Sequence, residues 1–185
     1  PIMAAMLIGA VEMSQAVTVD RRVSQMASAT ADLVARADKN ITCPELHDIL
    51  NSSTWIMKPY SPNSVEITVR NIVNNGSTNL ETWKVKYTGP ATSGLGSDPC
   101  PPLVCPAAGQ AGAPSPAPPP GLVATNGGLV IVDVEYKYKP LVFDHFMKKA
   151  AGGGGGIYTM KETASHPPRS NSAKLELPNA RKCNE

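Results

Sequence analysis

Three histidines, four cysteines and a pair of carboxylates two residues apart are the side chains of this sequence with chemistry to offer. Nucleophilic catalysis needs a Ser or Cys within reach of a His and an orienting acid. His47, His145 and His166 stand beside no G-x-S-x-G or comparable motif. Asp133 and Glu135 share a strand-like stretch with lysines, the pattern of a solvated face. Zinc asks for paired short spacings such as C-x-x-C, whereas Cys100 and Cys105 have four residues between them in a proline-rich stretch with no neighbouring His. Gly152 to Gly156 is followed by no lysine until Lys161, so the phosphate-loop pattern is missing. These readings point to a protein that is not an enzyme, with no metal, no cofactor and no small-molecule substrate. A formal net charge of +2 with no basic run gives no case for nucleic acid.

The cysteines suit disulfides if the domain lies outside the cytoplasm. Cys100 with Cys105, and Cys43 with Cys183 clamping the tail, is the preferred one of the three connectivities that four cysteines allow.

Glu12 is the remaining polar group of interest, because it ends an apolar run, PIMAAMLIGAV. As a helix that run covers about 16 Å, roughly half of a bilayer's hydrocarbon core. A soluble amphipathic helix, a signal-peptide core and the second half of a transmembrane helix all begin this way. A signal peptide would end at a cleavage site before the mature domain, yet no Gly or Pro interrupts the stretch between Ala10 and Pro44. The favoured expectation is the C-terminal part of a transmembrane helix over residues 1–20, carrying Pro1, Met3, Leu7, Ile8, Gly9 and Glu12. Glu12 then lies at the interface or pairs with a neighbouring helix, since a carboxylate at mid-bilayer is costly.

The elements that follow are legible from their periods. Val17, Val19, Val23, Met26, Thr30, Leu33 and Val34 recur from Val19 on mostly at helical steps, so the helix is expected to continue to about Lys39 and to pack on a soluble domain. Thr42-Cys43-Pro44-Glu45 has the form of a capping box opening a short helix. SVEITVRNI, ETWKVKYT and LVIVDVEYKYK alternate with period two, the mark of strands with one buried face. Asn74-Asn75-Gly76 suits a hairpin turn between the first two, and a fourth strand is expected at Ile157 to Glu162. LVFDHFMKKA before it reads as a helix or a long turn. Residues 89–121 hold ten prolines and six glycines, a composition for a solvated surface loop.

The expectation is therefore an α+β fold, a long N-terminal helix laid on a small antiparallel sheet. Residues 21–88 and 122–185 would form the domain and 89–121 the loop. Val65, Ile67, Trp83, Val85, Val130, Val132, Val134 and Tyr136 should be buried, with Glu66, Lys84 and Glu135 exposed.

The spacing P-x7-G-x-x-E, Pro1 through Gly9 to Glu12, followed by Arg21-Arg22 and VSQMASATADLVAR, resembles the TadE/TadG-like proteins of bacterial tight-adherence (Flp) pili. IYTMKETASHPPRS is similar to the tail segment of such proteins. The resemblance covers residues 1 to about 50 and, more weakly, 123 to 170. It implies a single-pass minor pseudopilin of the inner membrane with a periplasmic domain, acting in pilus assembly beside other membrane helices and the lipid bilayer. Arg21-Arg22 would favour the opposite orientation by the positive-inside rule; the cysteines and Pro/Gly loops favour the periplasm. A second reading keeps the anchor but makes the chain a non-catalytic accessory subunit of another membrane complex. Ala4, Ala5, Gly9 and Ala10 would then allow close helix packing.

Overall fold

The computed structural model describes residues 2–37, 41–89, 117–140 and 157–169. Within them lie α1 (Ile2–Arg36), α2 (Cys43–Ser53) and two short 3-10 turns, Thr54–Met57 and Pro62–Ser64. Four strands follow: β1 (Val65–Asn74), β2 (Asn79–Thr88), β3 (Gly128–Tyr138) and β4 (Tyr158–His166). The strands form one sheet in the order β2-β1-β3-β4, antiparallel at every pairing. The fold is α+β, as the two periodicities require, and the fourth strand starts one residue after its expected position and ends four residues later.

Local chemistry sets the element ends. Thr42 accepts from the Glu45 N–H while the Glu45 carboxylate accepts from the Thr42 N–H at 2.9 Å, so two of the orphan donors of α2 are satisfied reciprocally. The Thr42 N–H, and then its hydroxyl, hold the Glu45 carboxyl below its ordinary range. The β1–β2 turn relies on Asn75, whose side-chain oxygen accepts from the Thr78 N–H at 3.0 Å. It also relies on Gly76 at φ +95°, a conformation that a side chain disfavours.

One face of the sheet is the core. Val65, Ile67 and Val69 of β1, Trp83, Val85 and Tyr87 of β2, and Val130, Val132, Val134 and Tyr136 of β3 are all buried there, including the eight expected. Glu66, Lys84 and Glu135 alternate with them but are half-buried rather than exposed. Cross-strand pairing covers two of them, Glu66 with Lys86 at 2.6 Å and Glu135 with Lys161 at 2.5 Å. Lys84 lies opposite Arg70 in the register. The ladder between β1 and β2 slips between Asn71 and Ile72, leaving Thr82 without an opposite number. Thr82 uses the slack: its hydroxyl accepts from the amide of fully buried Asn71 at 2.8 Å and donates to the Asn71 carbonyl at 3.2 Å. Past that slip Ile72 joins Leu129, Ile131 and Val123 in a second small cluster.

Two helical layers close the core face. α1 lies across β3 and β4 and runs in the direction of β4. The Ser24 hydroxyl meets Glu162, and near the C-terminal end of α1 the Arg169 N–H donates to the Ala35 carbonyl at 2.9 Å. α2 covers the β2 side, where the Tyr87 hydroxyl reaches Asn51 and the His47 ring stands edge-on to Tyr87 at 5.8 Å. The Arg22 guanidinium ties the layers together by donating to the carbonyls of Ile56 and Lys58.

The packed stripe of α1 differs from the expected one. Val19, Val23, Met26, Thr30 and Val34 are buried, with Ala27 and Ala31 between them. Val17 and Leu33 are half exposed, Leu33 at 43 %. A helix turns 100° per residue, so the face that carries Val34 turns Leu33 aside, and two alanines fill the contact where a large side chain would hold helix and sheet apart. Leu33 instead borders a shallow groove with Ile41 and Ile49, between the end of α1 and α2. Thr30 belongs in the core because its hydroxyl donates to the Met26 carbonyl at 2.7 Å.

This packing predicts a sharp contrast between two apolar residues of one helix. Met26→Ala, at a fully buried position, should cost about 2–5 kcal/mol in urea melts. Leu33→Ala should stay within about 1 kcal/mol. Equal losses would mean that α1 is rotated from the position described.

Candidate functional site

The stripe that packs α1 on the sheet can be followed backwards through Val23, Val19 and Ala16 to Glu12, at steps of four, three and four residues. Glu12 is therefore the first residue of the packed face, and it is 7 % exposed. In the turns before Glu12, and at Met13 just after it, the helix is bare and apolar: Met3 is 88 % exposed, and Ile2, Met6, Leu7, Val11 and Met13 are at least half exposed. α1 is long and apolar enough, by length and composition, to cross a membrane, and most of its apolar window is uncovered by the rest of the protein.

A cavity of about 570 Å³ opens where this bare helix meets the sheet. Gly9, Glu12, Met13 and Ala16 form its helical wall. The opposite wall is built by the end of β3 and the start of β4, where Tyr138 and Tyr158 are register partners, together with Pro140, Thr159 and Met160. The wall is overwhelmingly carbon. Burial, and then the charge of Glu12, raise the Tyr138 hydroxyl above the ordinary tyrosine value, which keeps that phenol protonated. Its polar side chains among the described residues are the Glu12 carboxylate and the hydroxyls of Tyr138, Tyr158 and Thr159. What it offers is an apolar recess with a carboxylate on one wall.

A second cluster crosses the opposite face of the sheet, with one residue from each strand. Arg70 of β1, 2 % exposed, reaches Asp133 of β3 at 2.7 Å and lies 3.9 Å from Glu81 of β2. The Thr163 hydroxyl of β4 donates to Asp133 at 2.7 Å. The expectation that Asp133 and Glu135 form a solvated face therefore fails. Both are half-buried, and Asp133 is a partner of an arginine that the alternating pattern had placed in water. The cluster fixes strand register, because a one-residue slip of any strand would carry its polar member to the core face.

Among the described residues, His47 and His166 stand far apart in the fold. His47 lies beside β2 and His166 on β4, at opposite edges of the sheet; His145 lies outside the described residues. Cys43 opens α2, but its expected partner Cys183, the pair Cys100 and Cys105, and Pro1 also lie outside the described residues. Met3, Leu7 and Ile8 lie on the bare part of α1, and Gly9 and Glu12 at the cavity. Among the described residues no group of three His, Cys, Asp or Glu is placed to hold a metal ion.

Glu81 makes the polar cluster testable by pH. Burial raises its carboxyl above the ordinary value, Lys84 and Arg70 oppose that shift, and Asp133 adds to it. A carboxyl raised in the folded state binds more protons folded than unfolded. Its favourable contribution is full below the ordinary glutamate value and is lost as pH rises through the raised one. The stability of Glu81→Gln relative to the natural protein should therefore grow between about pH 4 and about pH 7 in urea melts. A difference that shrinks over that range would mean that Arg70 wins and the ionised carboxylate is the favoured form.

The recess and the bare helix have to be read from their own residues, because no family model, curated protein or solved structure matches the chain.

Proposed function

We propose that the protein is a membrane-anchored, non-catalytic assembly protein of a bacterial tight-adherence (Flp-type) pilus, of the TadE/TadG-like kind. Its first helical turns sit in the inner membrane and its sheet domain lies in the periplasm. The observation that supports this reading is the division of labour along one unbroken helix. From Glu12 onward α1 is a core element of the sheet domain; before Glu12 it shows large apolar side chains to nothing in the described protein. Each such side chain gains about 1.5–3 kcal/mol when fully buried, so the exposed set favours transfer to hydrocarbon by a wide margin. Glu12, Tyr138 and Tyr158 mark the level at which hydrocarbon ends, where amphipathic rings are at home. The sequence pattern P-x7-G-x-x-E, with Arg21-Arg22 beyond it, directs the anchored reading toward pseudopilin-like proteins.

Such a protein works by geometry. A helix without a break transmits the tilt of the membrane segment to the sheet domain, so neighbours that pack on the first turns also set the orientation of the domain outside. Pilins or other membrane helices are the partners that this arrangement serves.

Sodium carbonate extraction of membranes holding the full natural chain tests the anchor. The protein should stay with the membrane pellet, and protease added to spheroplasts should reach the sheet domain. Recovery in the aqueous fraction would remove the anchored reading. Copurification with a membrane complex unrelated to pili would keep the anchor and overturn the pilus assignment in favour of an accessory subunit.

A further inference from the structure

We propose that the cavity beside Glu12 takes one acyl chain of a bilayer phospholipid, with the headgroup outside the recess; this rests on the membrane-anchored reading above. The position of the cavity carries the inference. Its exposed apolar lining residues, Met13 and Tyr158, continue the apolar surface of α1 at Val11 and that of Ile157 just before β4. A chain lying in the hydrocarbon beside α1 therefore enters without crossing water.

Size and chemistry fit the same occupant. About 570 Å³ falls within the range of roughly 300–1,000 Å³ for small-ligand sites. Met13 and Met160 line the recess with flexible thioethers, which adapt to a chain that has no fixed shape. Charge then sets the direction of the lipid. The Glu12 carboxylate on the wall disfavours an anionic headgroup inside, so the headgroup stays outside the recess. The chain is buried and the headgroup stays at the interface.

Replacing Tyr158 with the photoreactive amino acid p-benzoylphenylalanine, in the full natural chain and in vesicles of phosphatidylethanolamine and phosphatidylglycerol, reads the occupant directly. Irradiation should give a protein–phospholipid adduct by mass spectrometry. Gly9→Leu, which fills the recess from the helix side, should abolish most of that adduct while the protein still pellets after carbonate extraction. Cross-links confined to the chain itself or to a second copy would overturn the lipid assignment with the anchor intact. An adduct yield unchanged by Gly9→Leu would do the same, because it would reflect surface lipid only. A protein that fails to pellet would overturn both readings.

Discussion

Everything in this fold depends on one face of α1 meeting one face of the sheet. The main apolar side of the sheet is built from alternate residues of its strands, and Val19, Val23, Met26, Thr30 and Val34 with Ala27 and Ala31 are the surface that keeps water from it. At about 25 cal/mol for each Å² of apolar surface, loss of that lid would exceed the stability margin of a small domain. The alanines matter as much as the large residues, because they set the distance between helix and strands. Arg22 then fixes the helix along its axis by capturing the carbonyls of Ile56 and Lys58, and Arg169 does so at the far end through the Ala35 carbonyl and Asp32.

The same contact explains why Glu12 stands where it does. A helix that is core along most of its length and bare at its start must change environment somewhere. The stripe places that change at the first residue that touches the sheet. A carboxylate there marks the limit of the apolar segment from one side and closes the recess from the other. Because the helix does not break, the domain cannot rotate independently of the segment that precedes it.

The strands were legible because strict alternation has one physical meaning in a sheet with one wet face. Val65, Ile67, Trp83 and Val130 to Tyr136 were placed correctly on that basis, and so was the capping box at Thr42 and Glu45. Alternation misleads where a polar residue is buried on the wet side. Arg70 looks like its neighbours Glu66 and Thr68 in the sequence, and only the three-dimensional meeting of four strands shows that Asp133 and Glu81 enclose it. On α1 the reading gave weight to large residues and so included Leu33 and overlooked Ala27 and Ala31. The same spacing extended back from Val19 through Ala16 would have found Glu12 on the packed face. The recess was illegible, since Tyr138 and Tyr158 meet only through a strand pairing across a long connection.

The central claim is that one helix changes environment at Glu12, and a depth scan along α1 tests it most directly. Single spin labels at Met3, Leu7, Val11, Ser14, Thr18 and Ser28 in the full natural chain, reconstituted in vesicles, would be measured by EPR for accessibility to oxygen and to a water-soluble nickel reagent. The account predicts oxygen-dominated signals at Met3, Leu7 and Val11, a crossover beside Glu12, and nickel-dominated signals at Thr18 and Ser28. Nickel accessibility equal at all six positions would show that the bare turns of α1 never leave water, and would contradict the account.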